Sequence, residues 1–317
     1  GLAMDAGIQI EPQFGYSYEE IAGIAREAEA LGFSHFWTSD HFFLRPEEPQ
    51  TGCLEAWTLL AALSQATSRL RLGTLVTCQS YRSPALLAKV AAGVDVMSGG
   101  RLEFGVGAGW KEVEYKAYGM PFPPAGVRVG QLVDTLEIVR AMWTTERATY
   151  RGRHYSVVDA LCAPKPLQQP HPPILIGAFG DRMFRVVARY ADAVNVRGWF
   201  LSPARYGEAL NRLREACARE GRSYDAIRKT HGSYAIVGAT RAAVDAVAAE
   251  VMARWAGSPQ EKAERMGEAI VGTPAQVRER LAAYQALGVS QVMFLFPYGR
   301  EREMLRLIAG EVLPQLS

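Results

Sequence analysis

The segment Leu70-Arg71-Leu72-Gly73-Thr74-Leu75-Val76, then a helical pattern from Pro84, then Gly99-Gly100-Arg101-Leu102-Glu103-Phe104-Gly105-Val106, decides the fold class. A short apolar run, a polar turn, an apolar-faced stretch opened by proline, a glycine pair and a second apolar run make one strand-helix-strand phrase. Two strands joined through a helix run the same way, because the crossover carries the chain back to the end where it began. A parallel α/β protein is the expectation.

The phrase recurs in both directions. Toward the N-terminus, Gly7-Ile8-Gln9-Ile10 reads as a strand, and Ser17-Tyr18-Glu19-Glu20 carries a serine and a glutamate at capping-box spacing. Ile21, Ile24, Ala25, Ala28 and Leu31 then share one helical face up to Gly32, and Phe33 to Ser39 is the second strand. A helix from about Leu54 leads into the opening segment. Toward the C-terminus, a helix runs from Val127 to Trp143, and Pro173 to Gly177, Ala193 to Val196 and Tyr234 to Val237 read as strands, each followed by a helical pattern. Thr273-Pro274-Ala275-Gln276 joins a capping box to a proline at the first helical position. That helix closes at Gly288, and Gln291 to Phe296 is the last strand, before a helix from about Glu301.

Eight such units predict a closed (β/α)8 TIM barrel. The echo of Ala30-Leu31-Gly32-Phe33 in Ala286-Leu287-Gly288-Val289 fits equivalent units at the two ends of a ring. A doubly wound open sheet is the alternative, and its glycine fingerprint is missing after the first strand. One domain is expected over residues 4–317, with Met4 as the natural start behind Gly1-Leu2-Ala3 and with insertions at about 149–172 and 255–271. Within the first, Tyr150-Arg151-Gly152-Arg153-His154-Tyr155 reads as a hairpin turn; within the second, Ser258-Pro259-Gln260-Glu261 opens a helix.

Composition narrows the partners. The 317 residues are 49% hydrophobic, enough for a large core, and the net charge of +2 comes with no basic block interleaved with aromatics, so no nucleic-acid footprint is present. No run approaches the ~18 apolar residues of a membrane span, and the N-terminus lacks the order of a signal peptide. A cytoplasmic protein with a small-molecule substrate is expected. Cys53, Cys78, Cys162 and Cys217 form no CxxC pair, and His35, His41, His154, His171 and His231 lack metal-ligand spacing, so neither a disulfide framework nor a metal site is expected.

In a (β/α)8 barrel the reacting groups stand on the loops after the strands. After the second strand, Thr38-Ser39-Asp40-His41-Phe42-Phe43 sets a carboxylate beside an imidazole, a residue that exchanges protons near neutrality. Either this pair does chemistry, or Asp40 caps a turn and His41 fills the barrel mouth. After the third comes Thr77-Cys78-Gln79-Ser80-Tyr81-Arg82-Ser83-Pro84. After the fourth, Gly105-Val106-Gly107-Ala108-Gly109-Trp110 lets backbone approach a flat ring or a phosphate. After the fifth, Ile176-Gly177-Ala178-Phe179-Gly180-Asp181 enters a helix and offers free backbone donors to a phosphate, or is simply a tight turn. Arg197, after the sixth, either assists an anion or is a solvated charge.

These residues resemble the luciferase-like monooxygenase superfamily, and within it the F420-dependent oxidoreductase group. The resemblance spans nearly the whole chain. It rests on Gly7-Ile8-Gln9-Ile10-Glu11-Pro12, Ser39-Asp40-His41, Gly73-Thr74-Leu75-Val76-Thr77 and the run from Ser98-Gly99-Gly100-Arg101-Leu102 to Trp110. Glu114 with Tyr118-Gly119 and Pro121-Phe122, and Ala163-Pro164-Lys165-Pro166, complete it. It implies a barrel with insertions at the mouth and a cofactor ring backed by a bulge at Leu75, Val76 and Thr77, with a non-proline cis peptide near Leu75-Val76. It further implies phosphate held by Gly107, Ala108, Gly109, Gly177, Ala178 and Gly180, His41 beside the ring as proton donor or acceptor with Asp40 orienting it, and a homodimer. Sugar-phosphate dehydrogenases of the family carry a catalytic glutamate where this sequence has Trp110, which speaks against that activity; Trp110 instead stacks on the cofactor, walls the pocket or packs beneath an insertion.

Three functions follow from the resemblance. Hydride transfer with coenzyme F420 is preferred; the alternatives are a two-component FMN monooxygenase, supplied by a separate flavin reductase, and a flavin-binding protein without catalysis.

Overall fold

The computed structural model describes residues 3–316, and the expectation for Gly1 and Leu2 falls outside them. In chain order its elements are β1 (Asp5–Ile10), α1 (Tyr18–Ala30), β2 (His35–Thr38), α2 (Ala56–Ala66), β3 (Arg71–Thr74), β4 (Thr77–Cys78), α3 (Pro84–Met97), β5 (Leu102–Gly107), α4 (Glu112–Ala117) and α5 (Ala125–Thr144). There follow β6 (Ala148–Arg151), β7 (Ser156–Ala160), β8 (Ile174–Ala178), α6 (Asp181–Tyr190), β9 (Ala193–Val196), α7 (Pro203–Glu220), β10 (Arg228–Val237), α8 (Arg241–Met252), α9 (Pro259–Gly267), β11 (Ile270–Gly272), α10 (Pro274–Ala286), β12 (Val289–Leu295) and α11 (Glu301–Glu311). The strands β1, β2, β3, β5, β8, β9, β10 and β12 pair in that order, all parallel, and β12 returns to β1. The expected closed eight-strand barrel is the fold.

Local signals start the helices where the sequence puts them. Ser17 Oγ accepts the Glu20 N–H at 3.1 Å while Glu20 returns a bond to the Ser17 N–H at 3.1 Å, a cap worth about 1 kcal/mol. Ser258 with Glu261 and Thr273 with Gln276 repeat the device at α9 and α10. Helix α1 then buries Ile21, Ile24, Ala25 and Ala28, each isoleucine gaining roughly 2 kcal/mol on leaving water.

Strand alternation gives two cores. Ile8, Ile10, Phe36, Leu72 and Phe104 face the helices and join one large cluster, while Trp37, Leu75, Leu175, Ala193 and Met293 form a separate one inside the barrel. At the N-terminal end of the lumen Glu103 accepts from Arg71 Nε at 3.0 Å and Arg228 Nη2 at 3.1 Å and lies 3.2 Å from His35 Nε2. Burial alone would raise the Glu103 carboxyl, but His35 and the two arginines outweigh it and pull it down to about 2.

One expectation is corrected. The seventh barrel strand is not Tyr234 to Val237 but the ten-residue β10. Its first half is polar, and most of that polarity is taken up by the fold: Arg228 bonds Glu103, Lys229 Nζ bonds the Tyr224 carbonyl at 2.6 Å, and the His231 ring packs against Tyr206 and Tyr284 with neither nitrogen hydrogen-bonded among the described residues. The segment 255–271 holds the helix that Ser258 was expected to open, α9, and β11 at its end pairs with the tip of β10, Ala235 opposite Ile270. The segment 149–172 holds most of the antiparallel β6-β7 hairpin, whose turn is pinned by Asp134 of α5 accepting from the His154 and Tyr155 N–H groups at 2.7 and 3.0 Å. Among the described residues no helix is long and apolar enough to cross a membrane.

Candidate active site

A cavity of about 390 Å³ opens at the C-terminal ends of the barrel strands, within the range of small-molecule sites. Glu11 follows β1 into it, Ser39, Asp40 and His41 follow β2, the loop from Leu75 follows β3, Gly107 to Lys111 leave β5, and Arg197 to Trp199 leave β9. A larger groove of about 720 Å³ lies at the outer helices α8 to α10, away from these loops. The barrel mouth is therefore where the chemistry-bearing side chains meet.

One wall is a backbone bulge. The Leu75-Val76 peptide is cis, at the position the resemblance implies. Its Val76 side chain lies against two glycines: a Cβ on Gly107 would stand 2.8 Å from Val76 Cγ2, and one on Gly177 3.1 Å from both γ-carbons. Gly109 is constrained differently, with φ +93° and the Tyr115 hydroxyl 2.0 Å from where its Cβ would be. These glycines seat the bulge and its neighbours, as well as leaving backbone open to the cavity.

His41 lies opposite. Its Nδ1 is 2.7 Å from Oε1 of Glu114, the buried third residue of α4. The same carboxylate accepts from the Phe42 N–H, the Phe43 N–H at 3.3 Å and the Tyr81 hydroxyl at 3.0 Å. Burial works to raise the Glu114 carboxyl, but the His41 hydrogen bond and charge, the Phe42 N–H and Lys111 hold it below the usual carboxylate range. An ionised Glu114 takes a proton-bearing Nδ1, which fixes the ring and leaves Nε2 as its exchangeable nitrogen.

The expectation that Asp40 orients His41 is corrected. Asp40 accepts from Arg82 at 2.9 and 3.0 Å, one guanidinium nitrogen to each oxygen, and from the Cys78 N–H at 2.9 Å. It ties the loop after β2 to the bulge after β3, and Arg82 also reaches Glu55. Adjacency in the chain did not make these two partners: Asp40 went to Arg82 and His41 to Glu114.

The other expected residues divide. Leu75, Val76, Thr77, Gly107, Ala108, Gly109, Trp110 and Gly177 line the cavity with Asp40 and His41. Ala178 instead turns into the outer core, and Gly180, at φ +84°, is the N-cap of α6 outside the cavity lining. Trp110 is 53% exposed and stands edge-on to His41, ring centroids 5.8 Å apart, with the Arg197 guanidinium 5.0 Å from its ring. It is not packed beneath an insertion. Two groups escaped the sequence reading. Glu114 was recognised only as part of a family phrase, and its link to His41 spans 73 positions. Glu11 directly follows the first strand, where the barrel rule would have found it. Burial pushes its carboxyl up to about 7, against the opposing charges of His41 and Lys111 and a Gln13 hydrogen bond.

Residues 4–291 match the family model for luciferase-like monooxygenases. The chain belongs to that family. This luciferase-like protein is 31% identical over 330 residues to the F420-dependent glucose-6-phosphate dehydrogenase of Microbacterium testaceum, covering 96% of this chain and 94% of the relative. It is 25% identical over 291 residues to the FMNH2-dependent dimethylsulfone monooxygenase of Pseudomonas putida, covering 82% and 78%. The solved F420-dependent tetrahydromethanopterin reductase of Methanopyrus kandleri superposes with a TM-score of 0.83 at 22% identity over 99% and 100% of the two chains, a likeness of fold. The two curated relatives are a dehydrogenase and a monooxygenase, and this family member is accordingly an oxidoreductase.

Proposed function

We propose that this luciferase-like protein is an F420-dependent oxidoreductase that moves a hydride between the deazaflavin and a small organic substrate, with His41 handling the accompanying proton. The observation that carries the reading is the His41-Glu114 pair at the mouth of the barrel. The cavity suits a flat coenzyme: the Leu75-Val76-Thr77 bulge offers a wall for a ring, and Gly107, Ala108, Gly109 and Gly177 keep side chains out of its path. Trp110 borders the same space, and Ala178 and Gly180, which lie outside the cavity lining, would meet only a phosphate-bearing tail that runs beyond it toward the N-terminus of α6.

The bound coenzyme supplies or takes the hydride, and the protein's part is position and proton management. Glu114 holds His41 through Nδ1, so Nε2 gives or accepts the substrate proton. Glu11, poised near neutrality in the same cavity, restores the proton balance between turnovers. Trp110, where sugar-phosphate dehydrogenases of the family carry glutamate, favours a substrate of another kind. The reading includes a homodimer and needs no reductase partner.

The test is equilibrium titration of the apoprotein with F420 and with FMN, each oxidised and reduced, by fluorescence with stoichiometry from calorimetry. Near-stoichiometric F420 binding with much weaker FMN binding is expected. Selective binding of reduced FMN would turn the reading to a monooxygenase served by a separate reductase, and binding of neither would remove the coenzyme from it.

A further inference from the structure

Strand parity leaves one group of polar side chains that the mouth does not use. Gln9 on β1, Trp37 on β2 and Gln291 on β12 all belong to rows that face the lumen. Trp37 is in the inner cluster, as is Met293, two residues beyond Gln291. On β1, Gly7, two residues before Gln9, faces the Trp37 ring, whose Nε1 lies 3.2 Å from where a Gly7 Cβ would be. Gln9, Trp37 and Gln291 are each 0% exposed.

The registers bring them to one place. Gln9 stands opposite Trp37 across the β1-β2 pair, and Gln291 stands opposite Asp5 across β12-β1. Gly7 sits between Asp5 and Gln9 on its row, and Trp37 Nε1 with His35 Cβ at 3.1 Å takes up the place of its missing side chain, which brings the indole N–H to the row that carries Gln9. Both atoms of the Gln9 amide, both of the Gln291 amide and Trp37 Nε1 have no hydrogen-bond partner among the described residues. Buried polar groups in native folds are met by protein or by ordered water, and these five have no protein partner among the described residues.

We propose that the lumen around Gly7 is a water-binding site, in which ordered water accepts from Trp37 Nε1 and the two amide nitrogens and donates to the two amide oxygens. The donor set selects water over an ion. A cation would meet only two neutral carbonyl oxygens and be repelled by the indole N–H, and an anion would be repelled by those oxygens, whereas water serves both kinds of group. At about three hydrogen bonds per buried water, the five atoms call for roughly two molecules. Gln9 and Trp37 share a hydrogen-bonded rung with Gly73 and Glu103, and Glu11, which lines the cavity, is the next residue on the Gln9 row, so the waters hydrate the barrel beneath the cavity whichever coenzyme the mouth accepts.

The experiment is oxygen-17 water relaxation dispersion on the full chain, comparing wild type with Gln9→Leu/Gln291→Leu and matching circular dichroism. The expected result is loss of the amplitude of about two long-lived waters with the fold unchanged. Equal amplitude in both proteins overturns the proposal, because it means that the two amides hold no long-lived water. If the double variant does not fold, a high-resolution crystal structure of the wild type decides. Discrete solvent density within hydrogen-bond distance of Trp37 Nε1 supports the site, and direct Gln9-Gln291 contact with none overturns it.

Discussion

The Nδ1 atom of His41 and Oε1 of Glu114 stand 2.7 Å apart although 73 positions separate them in the chain. The pair joins the loop after β2 to the short helix α4, and Glu114 holds that loop through the Phe42 and Phe43 N–H groups as well. One buried carboxylate therefore orients both the imidazole and the backbone that carries it.

Its first consequence is kinetic. His41→Ala should lower kcat for hydride transfer by about 10²- to 10⁴-fold while coenzyme Kd stays within a few-fold. Parallel loss of both would make His41 a binding or folding residue. Glu114→Gln keeps the size but not the charge, and it should depress kcat by an intermediate factor, about ten- to a hundredfold by the scale of orienting partners.

Acid stability should turn on His231. The ring is fully buried against Tyr206 and Tyr284, and burial, helped by the charge of Arg280, pushes it down to about 3 from 6.5. The folded state holds it neutral while the unfolded chain protonates it, so its contribution is complete above pH 6.5 and is lost as pH falls toward 3. His231→Phe should flatten the decline of Tm between pH 6.5 and 4.5, before the unfolded-state titration of Glu103 begins. An unchanged slope there would show that another group sets the acid limb.

Glu11 predicts the opposite sign. Its folded carboxyl is raised to about 7 from 4.5, so its contribution is fully present below pH 4.5 and is lost as pH rises through 7. Glu11→Gln should raise Tm at pH 8, by up to a few kcal/mol of stability, and do little at pH 4. Thermal melts at the two pH values check this, and equal shifts at both would mean that Glu11 is not raised.

Arg82 should matter for stability more than its loop position suggests. It grips the buried Asp40 with two nitrogens and also reaches Glu55. Arg82→Met leaves Asp40 without its cation and should cost about 3–5 kcal/mol, read from the denaturant midpoint. Arg82→Lys keeps the charge but not the fork and should recover only part of the loss.

Sequence alone determined the barrel and its helix starts. Those rest on short-range physics: the two-residue alternation of strands, the 3.6-residue period of helices, and caps whose partners are three positions apart, as at Ser17 and Glu20 or Thr273 and Gln276. It also singled out His41, because barrel chemistry gathers where strands end, while the bulge at Leu75-Val76 came from the family resemblance. Tertiary structure alone decided which side chains became partners. Asp40, adjacent to His41, went to Arg82, while Glu114 came from a distant helix. Polar residues 228–231 became a barrel strand because Glu103 pairs with Arg228, the Tyr224 carbonyl accepts from Lys229, and Tyr206 and Tyr284 pack on the neutral His231 ring. Hydrogen bonds and ion pairs depend on distance in space, and only the closed ring brings loops from different strands within bonding range.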